Sequence, residues 1–143
     1  MTMKMEIEFR GKRVDNGEWV NGDLIKSKDK CYIHPNANIF RVHNALSKLI
    51  VLYEVLPETV GQYTGLTDKN GKKVYEGDIV KTKYGRLCRV VKVSLPSYVG
   101  WDLEAFDENN ASTTKKPDEY DLYYKDNLEV IGNIFDKGCD NGD

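Results

Sequence analysis

Three groups of side chains have types and spacings that invite a chemical reading. Cys31, His34 and His43 include a C-x-x-H pair able to offer two zinc ligands. A structural zinc site takes four, and no second tight pair completes this one. Glu76 and Asp78 would share one face of an extended strand, where paired carboxylates can hold a metal or do acid-base work. The plainer alternative is a solvated face, or carboxylates that satisfy backbone donors in a turn. Asp68-Lys69-Asn70-Gly71 followed by Glu76 invites comparison with a calcium loop, but an EF-hand places glycine sixth and glutamate twelfth, and here they fall fourth and ninth. Neither histidine lies beside a G-x-S-x-G or a catalytic-cysteine context. Gly61-x-x-x-Gly65 lacks both the G-K-S/T of a phosphate loop and a long following helix. The sequence therefore assigns no catalytic residue, no metal site and no cofactor, and an enzyme is the most distant of the readings.

Charge segregation is the feature that stands out. Residues 68–92 hold eight basic and three acidic side chains, a local balance of +5, whereas residues 102–129 hold nine acidic and three basic ones, a balance of −6. Lys81, Lys83, Arg86, Arg89 and Lys92 are the candidate binding residues, for nucleic acid or for an acidic protein. Tyr84 is the one tyrosine among them, fewer than interleaved stacking platforms would require. Two other outcomes are open: complementarity between subunits of a homo-oligomer, or two segments that neighbour each other in a sheet and form weak surface pairs.

These residues need elements to position them, and turn chemistry supplies the boundaries. Residues 62–80 are specified most tightly: two apolar-aromatic runs flank 68–71, where Asn70-Gly71 is the pair best suited to a tight hairpin turn, and Gly77-Asp78 punctuates again. Residues 78–94 read as a hairpin turning at Tyr84-Gly85, its strands rich in β-branched residues, with Cys88 in the core. This G-D-x-V opening resembles the first hairpin of SH3-like small barrels, a fold-level analogy that names no ligand.

Towards the N-terminus, residues 6–10 alternate, so Ile7 and Phe9 should face a core while Glu6, Glu8 and Arg10 face water. Asn16-Gly17 should turn the chain into a returning strand from Trp19 to Ile25, interrupted at Asn21-Gly22, and a short strand at 31–33 should end at Pro35. Residues 39–55 read as two strands around a turn at 44–48, and Pro57 opens a single helical turn. Later, residues 99–106 alternate as a strand with Val99, Trp101 and Leu103 on one face. Residues 107–118 form an exposed loop, residues 120–124 pair briefly, and residues 128–135 form a last strand before a frayed tail.

The motif Q-Y-T-G-L-T-D-K-N-G-K-K-V-Y-E-G-D-I-V at 62–80, with Leu128-Glu129-Val130-Ile131-Gly132-Asn133-Ile134 near the end and Ile7-Glu8-Phe9-Arg10-Gly11 with Trp19 near the start, resembles the YopX family of small phage and prophage proteins. The resemblance implies a β-rich fold, a phage or prophage gene and a cytoplasmic location in a bacterial host. It implies no known reaction and no catalytic residues.

Composition agrees with a globular chain. Its 143 residues suffice for one domain with a core, and 40% hydrophobic with 31% charged residues excludes the bias of disorder. No apolar run approaches the roughly 18 residues of a membrane helix, and the first residues lack a signal-peptide core. Three widely spaced cysteines without C-x-x-C suit reduced thiols. A net charge of −2 argues against coating nucleic acid by bulk electrostatics. The expectation is an all-β protein: a single domain with an N-terminal β-hairpin elaboration at 1–56, a small SH3-like barrel core at 57–135 and a tail at 136–143, acting as a binding module or as a homo-oligomeric assembly protein.

Overall fold

Turn residues divide the chain into strands, as their chemistry requires. The computed structural model describes residues 6–35, 51–83, 85–105 and 128–136. The strands are β1 (Phe9–Lys12), β2 (Trp19–Ser27), β3 (Lys30–Pro35), β4 (Tyr53–Val55), β5 (Gly61–Thr67), β6 (Lys73–Tyr75), β7 (Asp78–Thr82), β8 (Leu87–Leu95), β9 (Tyr98–Ala105) and β10 (Leu128–Asn133), with one 3-10 turn at Pro57–Thr59. The fold is all-β and every ladder is antiparallel. Among the described residues, no helix is long and apolar enough to cross a membrane. The chain divides into two compact units, Met1–Tyr63 and Thr64–Asp143.

In the first unit the strand order is β4-β3-β2-β1-β5. The hairpin from β1 to β2 closes through Asn16-Gly17 as expected: the Gly17 amide donates to the Arg13 carbonyl and the Glu18 amide to Asn16 Oδ1, both at 2.9 Å. Cys31, Ile33 and Val55 form the buried core, with Phe9, Val20, Leu24 and Val60 packed against it. Pro57 starts the 3-10 turn, which Thr59 secures by donating its hydroxyl to the Leu56 carbonyl at 2.7 Å.

Two expectations fail in this unit, and a third falls largely outside the described residues. Phe9 faces the core, but Ile7 lies before the strand begins and is exposed, while Glu8 is buried beside Tyr63, whose amide donates to the Glu8 carbonyl at 2.7 Å. Alternation gave the right parity for Phe9 and could not show that Glu8's face is covered too. Asn21-Gly22 does not interrupt β2, which runs unbroken through both residues. The strands proposed around a turn at 44–48 lie outside the described residues up to residue 50, and only β4 is seen of that segment.

The second unit begins within β5, and residues 64–67 carry β6 beside them, with the Thr64 hydroxyl donating to the Val74 carbonyl at 2.8 Å. The turn at 68–72 is a hairpin loop in which the Asp68 amide donates to the Lys72 carbonyl and the Gly71 amide to the Asp68 carbonyl. Gly71 has φ +81 with open space where a Cβ would go. Gly71→Ala should therefore cost only its conformational strain, about 1 kcal/mol; a urea midpoint equal to that of the parent would contradict the turn.

The other sheet runs β10-β7-β8-β9, around a core of Val74, Val80, Cys88, Val90, Leu103 and Leu128. Its first hairpin turns through Gly85, whose amide donates to the Thr82 carbonyl; Tyr84 lies outside the described residues, as do the loop proposed at 107–118, the pairing proposed at 120–124 and the tail from residue 137. The expected barrel is not found: among the described residues β9 and β10 are opposite edges of an open sheet. The G-D-x-V hairpin begins an open meander as readily as a barrel, and closure depends on pairing between first and last strands that no local motif encodes.

Candidate functional site

Of the residues flagged for metal or acid-base chemistry, Cys31, His34 and Asp78 have other contacts. Cys31 is buried on the core face of β3, whereas His34, three positions on, pairs with Asp23 on the other face, its Nδ1 3.9 Å from Asp23 Oδ2. A period of two sends positions i and i+3 to opposite faces, so C-x-x-H on a strand cannot chelate. His43, the third member, lies outside the described residues. Asp78 is buried and accepts the Tyr75 amide at 2.7 Å, while Glu76 sits half-buried in the turn before it. Among the described residues no group of three His, Cys, Asp or Glu side chains is placed to hold a metal.

Asp68 was legible only as a turn residue, yet it ties the unit together. Its carboxylate is buried and accepts three backbone amides: Asn70 at 2.8 Å and Lys72 at 2.9 Å on Oδ1, and Val130 at 2.8 Å on Oδ2. Burial pushes its pKa up, but the three amides, Val130 foremost, together with the Lys72 charge hold it below the ordinary aspartate value of 3.8. The Lys69 amide also donates to the Leu128 carbonyl at 3.0 Å. These bonds occupy backbone groups on the side of β10 that faces away from β7.

The five basic candidates do not converge on one surface. Lys81 lies directly opposite Glu129 and Leu87, and Arg89 opposite Ile79 and Glu104, which puts Lys81 and Arg89 on the same face. Lys92 is opposite Trp101, which packs on the core, and so lies on the other face. Lys83 and Arg86 belong to the turn between β7 and β8. Arg89 donates to both Glu104 oxygens, Nε to Oε2 at 3.1 Å and Nη2 to Oε1 at 2.8 Å. This bidentate bond raises the Arg89 pKa and lowers that of Glu104. Lys69 Nζ meets Glu129 Oε2 at 3.2 Å. Basic and acidic segments are thus sheet neighbours, and the face bearing Lys81 and Arg89 also bears Glu129, Glu104 and Asp102. Arg89 and Glu104 are both substantially exposed, so a double-mutant cycle with Arg89→Gln and Glu104→Gln should give a coupling of about 0.5 kcal/mol that shrinks with salt.

Sequence reading missed a different surface. The pairing of β7 to β8 stops at Ile79 opposite Arg89, but β8 and β9 continue as a two-stranded ribbon from Val90 opposite Leu103 to Leu95 opposite Tyr98. Residues 91–102 carry two charges, Lys92 and Asp102, against Val91, Val93, Leu95, Val99 and Trp101. Leu95 is 56% exposed and Val99 66% exposed, and they lie on opposite faces of the ribbon. The run of β-branched residues was visible in the sequence; its extension past the neighbouring strand was not.

No curated protein matches the chain. The model of the family described as YopX protein matches residues 8–138, which include every described strand, and the chain belongs to the YopX family.

Proposed function

We infer that the chain is a non-catalytic binding module whose contact is with protein, phage- or host-encoded, in the cytoplasm of a bacterial host. The observation that carries this reading is the projecting β8–β9 ribbon with apolar side chains on both faces. An isolated two-stranded ribbon is marginal in water, and apolar residues exposed at its end are the kind of surface that another protein covers. Nucleic acid fits less well: the five cations are divided between two faces and a turn, and Arg89 is engaged by Glu104. A nucleic-acid surface needs unneutralised cations in a continuous track.

The test compares two variants of the full chain. Val93→Glu with Leu95→Glu should abolish capture of the protein partner from induced host cells, while Lys81→Gln with Arg89→Gln should leave capture intact. Labelled single- and double-stranded DNA and RNA should give no shift at low salt. The reading is overturned if the lysine and arginine variant loses a nucleic-acid complex that the parent forms, with a slope of about −3 to −5 in log K against log salt for three to five phosphate contacts.

A further inference from the structure

We propose that the contact surface pairs with a second copy of this chain: two β9 strands meet antiparallel across a two-fold axis at Trp101, joining two four-stranded sheets into one. The proposal rests on the protein-contact reading above and names its partner.

The two edges of the sheet differ. On the β10 edge, the Val130 amide is taken by Asp68 and the Leu128 carbonyl by the Lys69 amide, so the loop at 68–70 closes it to another strand. Among the described residues β9 has β8 as its one neighbour. It is eight residues long and contains no proline, and its register with β8 is continuous from end to end. Natural edge strands avoid pairing by being short, bulged, proline-bearing or charged. Of these devices β9 has only Asp102 and Glu104, and the latter already faces Arg89.

Symmetry and charge narrow the register, and among the centres that oppose no like charges Trp101 overlaps the longest stretch of β9, residues 98–104. Antiparallel pairing of identical strands about a two-fold axis keeps like faces together only when the axis passes through a residue pair. Centred on Asp102 it would set Asp102 against its own copy, and centred on Leu103 it would set Asp102 against Glu104; like charges directly opposite are destabilising. Centred on Trp101, it pairs Tyr98 with Glu104, Val99 with Leu103 and Gly100 with Asp102, with no like charges opposed. On the face shared with the core, Val99, Trp101 and Leu103 of one copy would then continue into the same three residues of the other. Val99, the more exposed of the two ribbon residues, gains a cover from the partner's Leu103.

The test is the mass of the full chain across a concentration series, with amide exchange as a second readout. The expected mass is twice the 16.4 kDa of one chain, with β9 amides protected more at high concentration than at low. Val99→Lys, at an exposed position, should raise the dissociation midpoint by about tenfold or more, and Lys81→Gln should leave it unchanged. A single-chain mass up to about 100 μM, far above the dissociation range of a standard specific interface, overturns the proposal. So does a V99K protein that keeps the parent midpoint, or exchange on β9 that ignores concentration. If the chain is single but the ribbon variant still loses capture of a partner, self-pairing fails and the protein-contact reading stands; if capture is also unaffected, both fail.

Discussion

Asp68→Ala should lower the free energy of unfolding by about 2–4 kcal/mol. The substitution leaves three amides without their acceptor, and an orphaned buried donor costs about 1–3 kcal/mol. The Val130 amide dominates, because the amides of Asn70 and Lys72 are on exposed residues that water can reach once the side chain is gone. Asp68→Asn should fall between parent and alanine: its amide oxygen can still accept, but its NH2 must face a donor. The acid dependence follows from the same bonds. The folded pKa lies below the unfolded 3.8, so the unfolded chain takes up the proton first. The carboxylate's contribution is fully present above 3.8 and drains away as pH falls from there towards the folded value. Urea midpoints at pH 7 and pH 3 should therefore converge for parent and D68N. A constant gap at both pH values would show that the negative charge is not what the three amides hold.

Asp68 also marks the boundary of what a sequence can reveal. Its turn was legible because an Asx side chain, Asn-Gly and an antiparallel return are all local, lying within residues 68–72. Its bond to Val130 spans 62 positions, and nothing in either segment announces the other. The same division recurs along the chain. Hairpins at Asn16-Gly17 and Gly85, the 3-10 turn at Pro57 and burial of Cys88 follow from neighbours in sequence and are found. Barrel closure, the burial of Glu8 and the projection of the ribbon depend on which strand lies beside which, and were misread or missed. The basic cluster shows why counting charge along a chain misleads: Arg89 and Lys92 are three apart on a strand, hence on opposite faces, and the compensating acids arrive from β9 and β10.

Gly22→Ala should cost about 3 kcal/mol, roughly three times the cost of Gly71→Ala, although both glycines follow an asparagine and look alike in the sequence. Asn-Gly at 70–71 is a turn, and a Cβ on Gly71 would enter open space. Asn-Gly at 21–22 lies inside β2, where Gly22 is paired with Pro35 at the end of β3. A Cβ there would run into the His34 carbonyl oxygen, and would stand 2.7 Å from the His34 carbonyl carbon and 2.9 Å from the Pro35 Cα. All three are backbone atoms, so no side-chain rotation relieves the clash and the two strands must move apart. That movement is transmitted at once to the core, because Leu24 lies opposite Ile33 one pair further on from Asp23 and His34, and Ile33 is fully buried. Overpacking usually costs about 1–3 kcal/mol, and here the ladder bonds between β2 and β3 weaken as well, which places the effect at the upper end. Urea melts of the two alanine variants side by side make the comparison. Equal losses near 1 kcal/mol would mean that Gly22 is chosen for backbone freedom, as at Gly71, and that β2 and β3 do not approach as closely as the structure shows.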